Sequence, residues 1–476
     1  MADILSVGID IGTSTTQLVF SRLTLENMTD YFSVPRVSIV KKEVVYKSPV
    51  HLTPLLSLTR IDSSGVRDLV AEEYRKAGVR PEDVDTGAVI ITGESARKEN
   101  AAAVLETLSG FAGDFVVSTA GPDLESIIAG KGSGAFQYSI DNACTTANID
   151  IGGGTSNIVL FHDGEVLGKG CFDIGGRLIR LAADYTVEYI SPSAARIAEH
   201  LGLRLRLGER AAAETLSAVT DKMADLLAQA LFLKEQEPLL RDIQTPESTW
   251  MENGVPRIER ICISGGVADC IAQEHADDIP YGDIGVFLGR SLRRGLLLQR
   301  IAQLQGEETI RATVVGAGTY TTSISGSTIS YAPGLFPLKN IPTLKLDLWE
   351  QDACFRGERG QLREKLLWFM EQSESDKVIL ALPGTNNPDY PQLQRLAQCL
   401  GDTLDEVLPA ASPVIIVLEQ DIAKALGTVM KNRLKGRRDV ICIDGVHVEQ
   451  GDYVDMGKPI MNGLVIPVVV KTLLFG

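Results

Sequence analysis

The chain has 476 residues, of which 44% are hydrophobic and 23% charged, and its formal net charge is −16. A chain of this length and composition is expected to form two or three domains with large cores, which excludes a disordered protein. The negative charge argues against nucleic-acid binding, because contacts with a phosphate backbone come mainly from lysine and arginine.

The first part of the chain predicts strands followed by alternating helices and strands. Residues 4–47 contain three apolar runs, and the first two are joined by a glycine turn. Helices are predicted at 63–78, 95–110 and 122–129, with short buried strands at 88–93 and 115–119 between them.

The same order then begins again. Residues 147–161 predict a second hairpin, 163–166 a tight turn and 167–172 a third strand. Two copies of one hairpin-led unit indicate an internal duplication with a ligand between the copies.

The remaining chain predicts the rest of the second unit and a separate region. A long helix is expected at 209–235, a strand entering a glycine turn at 260–270, and a helix at 282–299. Residues 311–331 are expected to form a strand, a glycine turn and a hairpin, and the proline-rich stretch 332–342 is expected to be a linker. Helices and strands alternate again after this stretch, which predicts an α/β layer. The expected domains are 1–145, 146–335 and 343–476.

Two glycine turns carry the chemistry. GIDIGTSTT at 8–16 and IDIGGGTSNI at 149–158 both place an aspartate at the end of a strand, just before glycine and hydroxyl residues. Without Cβ atoms, the turn backbone can approach a phosphate and direct its N–H groups at it. The candidate phosphate-binding residues are Gly12, Thr13, Ser14, Thr15, Gly152, Gly153, Gly154, Thr155 and Ser156.

Asp10 and Asp150 are the candidate metal ligands. Carboxylates at the ends of these strands could hold Mg²⁺, mostly through its water molecules. One such turn alone could be a structural glycine turn, but two in register favour a shared site that grips a triphosphate from both sides. ATP with magnesium fits such a site.

Competing motifs lack their expected context. The chain has no G-x-x-x-x-G-K-[ST] phosphate loop. GKGSGA at 130–135 follows a predicted helix instead of a strand, so we interpret it as a loop and not as a dinucleotide site. SARK at 95–98 lacks the partner motifs of penicilloyl serine enzymes, and we interpret it as a helix start.

The paired turns resemble the two phosphate motifs of the actin, sugar kinase and heat-shock chaperone ATPase superfamily, and ICISGGVA at 261–268 resembles its adenosine motif. This resemblance covers about 1–330. It implies an α/β actin-like ATPase fold, with two duplicated ribonuclease H-like lobes around a nucleotide cleft and an additional C-terminal α/β region. It also implies ATP and Mg²⁺ as cofactors, with Gly265 and Gly266 beside the adenosine.

Within the superfamily, the chain resembles reactivating factors of ethanolamine ammonia-lyase. The blocks that carry this resemblance are the near-terminal GIDIGTSTTQLVFS at 8–21, TGESARKENA at 92–101, the glycine-rich block at 314–340 and GDYVDMGKPIMNGLVIPVVVKTLLF at 451–475. It implies a chaperone-like protein that uses ATP to release damaged adenosylcobalamin from the lyase, its partner, after which intact cofactor binds. The expected location is the cytoplasm, and association with a bacterial microcompartment stays open.

One position departs from the chaperone pattern. Chaperone ATPases place a water-orienting glutamate just before the proline of the helix that leads into the second phosphate motif, where this chain has Gly121. Asp123 and Glu125 are the candidate catalytic substitutes, and Glu94 is a weaker one. Acids in the first turn of a helix are equally explained by the helix dipole, which favours negative charge there. Because Gly121 replaces the chaperone glutamate, hydrolysis is expected to be slow.

Two other functions remain open from the sequence. A small-molecule kinase of the same fold would need an acceptor pocket and a base in the cleft, and Asp123, Glu125 or Glu94 could serve as that base. An actin-like filament or scaffold protein is the other alternative. The fold by itself does not choose among these functions.

Overall fold

A computed structural model describes residues 2–12, 15–27, 37–57, 60–92, 100–108, 117–119, 122–245, 250, 255–273, 275–306, 308–320, 322–325, 329–332, 334–373, 375–385, 387–460 and 463–472. Three mixed sheets of five or more strands organise these residues. Two of the sheets form a pair of lobes, and the third forms a C-terminal region.

The first lobe contains strands β1 (Ala2–Ile11), β2 (Thr15–Asn27), β3 (Val37–Lys47), β4 (His51–Leu52), β5 (Leu55–Ser57), β6 (Arg60–Ile61), β7 (Thr86–Ile91) and β8 (Val117–Thr119). Its main sheet has the order β3-β2-β1-β7-β8, and β4 pairs with β2. Helices α1 (Ser63–Ala77) and α2 (Ala101–Leu108) belong to this lobe, with a 3₁₀ helix at Pro81–Asp83. Helices α3 (Pro122–Gly132) and α4 (Ala135–Asp141) come next in the chain and pack mainly on the sheet of the second lobe.

Helix α1 shows why these elements form where the sequence predicts them. The carboxylate of Asp62 accepts a hydrogen bond from the N–H of Gly65, which caps the first turn. Gly78 ends the helix in the left-handed conformation, with φ of 67°, where a side chain would be strained. The buried residues Val66, Val70 and Tyr74 recur at helical spacing and face the sheet.

The second lobe repeats the first. Its strands are β9 (Thr145–Ile151), β10 (Ser156–His162), β11 (Glu165–Phe172), β12 (Ile179–Leu181), β13 (Val187–Ile190), β14 (Arg260–Ser264) and β15 (Ala302–Gln303). The main sheet has the order β11-β10-β9-β14-β15, with an antiparallel hairpin followed by parallel strands, as in the first lobe. The predicted duplication is therefore confirmed.

The helices of the second lobe include one that returns to the first. They are α5 (Pro192–His200), α6 (Ala213–Ala230), α7 (Pro238–Asp242), α8 (Gly266–Ala272), α9 (Gly285–Arg294) and α10 (Leu296–Arg300), followed by α11 (Ala312–Tyr320), which packs on the sheet of the first lobe. The predicted loop at 130–135 was wrong in part, because Gly130 to Gly132 belong to α3 and Ala135 begins α4.

The prediction of a strand and glycine turn at the start of 311–331 was wrong, because helix α11 occupies this stretch. Its glycines serve close packing, because a Cβ at Gly316 would lie 2.1 Å from the carbonyl oxygen of Ile128 in α3. A Cβ on Gly132 of α3 would lie 1.9 Å from the carbonyl oxygen of Ala312. Two helices connect the lobes: the chain passes through α3 to the second lobe and returns through α11. The two helices cross in close contact at these glycines.

We expect Gly316→Ala to destabilise the protein by at least about 2 kcal/mol, because the added methyl group meets a backbone oxygen that cannot move without shifting α3. Chemical denaturation would measure the loss. Gly360→Ala is the control, since nothing lies within 4 Å of a Cβ there. Equal stability of the two variants would contradict the tight crossing.

The C-terminal region has strands β16 (Thr322–Ile324), β17 (Leu338–Lys345), β18 (Ile379–Leu382), β19 (Val414–Leu418), β20 (Val440–Asp444), β21 (Asp452–Met456) and β22 (Pro467–Thr472). Their order is β16-β22-β21-β17-β18-β19-β20. The helices are α12 (Leu348–Arg356), α13 (Gly360–Gln372), α14 (Tyr390–Val407) and α15 (Ala423–Leu434). Strands β16 and β17 overlap the stretches expected to belong to the second lobe and to the linker, so the chain enters this sheet directly after α11.

The C-terminal region packs on the first lobe. Val465 lies in one apolar cluster with Ile4, Leu23 and Leu25, and Val469 lies in another with residues of β7, α3 and α11. Within the part of the chain that the structure describes, no helix combines the length and apolar character needed to cross a membrane.

Candidate functional site

A cavity of about 610 Å³ lies between the two lobes. Both glycine turns line it. The predicted site residues that line it are Asp10, Gly12, Thr15, Glu125, Asp150, Gly152, Gly153, Gly154, Thr155, Gly265 and Gly266. The two strand ends that are far apart in sequence therefore meet at one cleft.

Several predicted residues are not brought to the cleft or cannot be placed. Ser156 is buried in β10, and its hydroxyl donates to the carbonyl oxygen of Ile174 at 2.8 Å, so it does not line the cleft. Thr13, Ser14 and Glu94 lie outside the described residues, as does the side chain of Asp123.

The two turns are closed by the same hydrogen bond. The N–H of Gly12 donates to the carbonyl oxygen of Thr15 at 2.8 Å, and the N–H of Gly152 donates to that of Thr155 at 2.9 Å. Each turn is also held from outside its own hairpin. The hydroxyl of Thr53 donates to the Gly12 carbonyl oxygen at 2.8 Å, and the N–H of Gly176 donates to the Gly152 carbonyl oxygen at 3.0 Å.

Asp10 carries a strongly perturbed carboxyl group. Burial raises its pKa to about 7, a hydrogen bond from the hydroxyl of Thr92 opposes the rise, and the charge of Asp150 adds to it. The Thr92 hydroxyl lies 2.8 Å from the Asp10 carboxylate. Thr92 escaped the sequence-based search, although its place directly after a buried strand was a usable signal.

Asp150 has a similar environment on the opposite lobe. It is only 6% exposed, and its carboxylate accepts hydrogen bonds from Ser264 at 2.6 Å and Thr313 at 3.5 Å. Burial raises its pKa, and these two hydroxyls oppose the rise. Burial disfavours the negative charge of both carboxyl groups, which lie in the same cleft. A divalent cation bound between them would stabilise their ionised forms.

The donor set fits a hydrated cation. Within the described ranges, no group of three or more histidine, cysteine or acidic side chains is arranged to hold a metal ion. A cation between Asp10 and Asp150 would therefore need water or ligand oxygens for its other positions. Magnesium is commonly bound in this way, through one or two carboxylates together with water and phosphate oxygens.

The cleft also has an apolar lining. Val50 and Leu52 line it from the first lobe, and Val267, Tyr281 and Ile310 from the second. Leu52 is 74% exposed and Tyr281 57% exposed, so both side chains have surface available to a ligand. Flat apolar groups such as a nucleobase suit this lining.

Two glycines shape the wall of the cleft. Gly265 has a φ of +83°, and a Cβ on it would lie 2.3 Å from the carbonyl oxygen of Ile151, so only glycine fits there. At Gly266 a Cβ would meet only the side chain of Ile310, at 3.9 Å. The backbone at Gly266 is thus open to a ligand in the cleft.

Asp283 and Arg177 add a charged pair that no sequence motif indicated. Burial raises the pKa of Asp283 to about 6, while the N–H of Gly285 and the charge of Arg177 oppose the rise. The Arg177 Nε atom lies 3.7 Å from the Asp283 carboxylate. Both residues line the cleft, near Tyr281.

Glu125 is the catalytic candidate whose side chain the structure places. It belongs to α3, lines the cleft and is 8% exposed. Its position on the helix that connects the lobes brings a carboxylate to the same cavity as Asp10 and Asp150.

The chain matches one protein family over nearly its whole length. Residues 2–476 match the family described as ethanolamine utilisation protein EutA. The chain is 39% identical over 473 residues to the ethanolamine ammonia-lyase reactivase EutA of Salmonella typhimurium, covering 99% of this chain and 98% of that protein. It is 38% identical over 483 residues to the protein of the same name from Escherichia coli K12, with coverage of 99% and 98%.

Solved structures with similar arrangements are more distant. They include EutJ from Carboxydothermus hydrogenoformans, with 15% identity, a TM-score of 0.34, and coverage of 67% of this chain and 90% of that one. A PPX-GPPA enzyme of Aquifex aeolicus has 14% identity, a TM-score of 0.36, and coverage of 67% and 90%. At these scores the similarities carry no argument about ligand or activity.

Proposed function

The chain belongs to the ethanolamine utilisation protein EutA family, and from that premise we propose that it is a nucleotide-dependent reactivase of ethanolamine ammonia-lyase. The two relatives that match over nearly their full length are ethanolamine ammonia-lyase reactivases, which supports the lyase as the partner of this chain. The observation that carries the nucleotide requirement is the meeting of two equivalent glycine turns at one cleft.

The nucleotide is ATP with Mg²⁺. The turns at 12–15 and 152–155 bind its phosphates through backbone N–H groups, because glycine allows the close approach. Asp10 and Asp150 hold the magnesium ion, mainly through water. The adenosine lies toward Gly265 and Gly266, and Asp283, which lines the same cleft, can accept hydrogen bonds from its ribose hydroxyls.

The bound nucleotide acts as a clamp between the lobes. Its terminal phosphoryl group is contacted by both turns, and its loss on hydrolysis removes that shared contact. Moving a two-state protein from mostly open to mostly closed requires about 5.5 kcal/mol of differential binding. Charge-assisted hydrogen bonds contribute roughly 1.5 to 3 kcal/mol each, so three or four of them suffice.

Lobe motion is then coupled to the lyase. Closure and opening alter the grip of the chain on the inactivated enzyme, which releases damaged adenosylcobalamin and leaves the lyase free to bind intact cofactor. Because Val465 and Val469 are used in packing against the first lobe, part of the C-terminal region supports the lobes. Its remaining surface is available for docking.

Glu125 is the proposed base of the hydrolytic step, with Asp123 as the second candidate. Glu125 lines the cleft and sits in the helix whose crossing with α11 joins the lobes. Its carboxylate can accept a proton in the cavity that holds the phosphates.

The test is reactivation of lyase that has been inactivated during turnover. The chain, Mg-ATP and intact adenosylcobalamin should together restore lyase activity, and the release of damaged cobalamin should be visible in the absorbance of the filtrate. Omitting the nucleotide or the chain should prevent recovery. Equal recovery without either one would overturn the proposal.

The same preparation distinguishes the two alternative functions. A kinase would consume ATP strongly only when an acceptor is supplied, and a filament would scatter light above a critical concentration with ATP. A reactivase should show slow ATP turnover and should bind inactivated lyase in a pull-down.

A further inference from the structure

Gln17 is a buried amide at the cleft to which neither motif assigns a role. It is the third residue of β2 and pairs directly with Asp10 across the first hairpin. It lines the cleft and is only 3% exposed. Its side chain therefore lies beside a carboxylate that we assign to the magnesium ion.

One end of the Gln17 amide has a fixed partner on the other lobe. Its Nε2 donates to the carbonyl oxygen of Ile310 at 3.2 Å. Because a carbonyl oxygen only accepts hydrogen bonds, the nitrogen must face Ile310, which sets the orientation of the amide. The Oε1 atom must then point the other way.

The Oε1 atom is buried and has no hydrogen-bond partner among the described residues. Native proteins rarely leave such an acceptor unsatisfied, and each case calls for an explanation. A phosphate oxygen cannot satisfy it, because both atoms are acceptors, and the neighbouring Asp10 carboxylate accepts as well when ionised. With magnesium bound and Asp10 ionised, a donor that enters with the ligand can satisfy it.

Water is the small donor that fits between these acceptors. We propose that Gln17 positions the water molecule that attacks the terminal phosphoryl group of bound nucleotide. A water molecule that donates one hydrogen to Gln17 Oε1 is held in orientation, and its oxygen lone pair remains free for the phosphorus. This inference rests on the proposed function and adds a residue to its hydrolytic step.

The step balances without another reactant. The water oxygen forms a bond to the terminal phosphorus while the bond from that phosphorus to the bridging oxygen breaks. The electron pair of the broken bond leaves with ADP, and both water protons end on the released phosphate, one of them by way of Glu125.

The tether to Ile310 links this water to the arrangement of the lobes. The carbonyl oxygen of Thr309, the preceding residue, accepts from the N–H of Gly265 at 3.1 Å. Arg311, the following residue, donates to the carbonyl oxygen of Ser48 in the first lobe at 3.0 Å. The Gln17 amide is thus oriented by a segment that contacts both lobes, so hydrolysis depends on their relative position.

The test separates nucleotide affinity from turnover. Gln17→Met keeps the size of the side chain and removes both hydrogen-bonding groups. We expect its affinity for Mg-ATP, measured by calorimetry, to stay within about 3-fold of that of the unmodified protein, while single-turnover hydrolysis falls on the order of 100-fold. Gln17→Asn, which withdraws the amide by one methylene group, should show the same split and covers the case in which the methionine variant does not fold.

Ser21→Ala is the matched control. Ser21 lies on the same strand, and its hydroxyl oxygen is also buried without a partner among the described residues, but it does not line the cleft. Its loss should leave hydrolysis unchanged. Unchanged turnover in both Gln17 variants, or a loss of affinity that accounts for the whole effect, would overturn the inference.

These results are distinguishable from failure of the proposed function. If the unmodified protein binds no Mg-ATP, the nucleotide site itself is wrong and the inference falls with it. If it binds and hydrolyses ATP while the Gln17 variants do so equally well, only the role of Gln17 is wrong.

Discussion

Asp10→Asn is expected to abolish magnesium-dependent nucleotide binding and, at pH 8, to raise the melting temperature of the nucleotide-free protein. Asparagine keeps an oxygen that can accept from Thr92 but removes the negative charge. Binding is lost because magnesium needs the carboxylate. The nucleotide-free fold gains stability because a buried charge close to Asp150 disappears, and we expect a rise of roughly 2 °C.

The pH dependence follows from the raised pKa of Asp10. Its ordinary value is 3.8, and the folded protein holds it at about 7. Between these values the folded state binds a proton that the unfolded state has lost, so the stability contributed by this group falls as pH rises through 7. The affinity for the metal rises with pH instead, because binding requires the ionised carboxylate. Affinity at pH 6 should be about 10-fold weaker than at pH 8.

Calorimetry with Mg-ATP and thermal melts across pH 5.5 to 8.5 would check both effects. Asp85→Asn is the control, because Asp85 is another first-lobe carboxyl whose pKa is raised by burial, and it accepts from the N–H of Leu5, away from the cleft. This variant should keep the nucleotide affinity. Wild-type affinity in Asp10→Asn would remove Asp10 from the metal site.

Gly154→Val is expected to leave the fold intact and to weaken Mg-ATP binding by more than about 100-fold, since a steric block at a phosphate costs several hydrogen bonds together. Gly154 lines the cleft, and no atom of the protein lies within 4 Å of a Cβ placed on it. The Cβ atom of the added side chain therefore meets no protein atom, and the side chain fills space that we assign to the phosphates.

A melting curve and a calorimetric titration separate the two effects. Gly360→Val introduces the same side chain at another glycine whose surroundings are open, outside the cleft. The control should bind nucleotide normally. If Gly154→Val does the same, the second turn does not approach the ligand and the proposed clamp is wrong.

The sequence alone was sufficient to predict the two glycine turns. An aspartate at the end of a buried strand, followed by glycine and threonine, specifies a tight turn through short-range steric and hydrogen-bonding rules. The bonds from Gly12 to Thr15 and from Gly152 to Thr155 are local in this sense. The repeated order of elements likewise predicted two lobes with the same strand order.

The same local rules failed at 311–331. Glycines at 316 and 318 are typical of a turn when only neighbouring residues are considered. In the folded protein they lie on α11, where the absence of a side chain lets the helix approach α3 and β1. The backbone atoms that require glycine there belong to Ile128 and Gly8, which are far from α11 in the sequence.

Tertiary structure decided which side chains share the cleft. Thr92, Ser264 and Thr313 support the two aspartates, and Gln17 and Asp283 face the same cavity, yet no motif by itself assigns any of them to the cleft. Ser156 belongs to a motif and points elsewhere. A turn is determined by interactions among a few adjacent residues, whereas a site between lobes depends on how sheets and crossing helices pack over long separations in sequence.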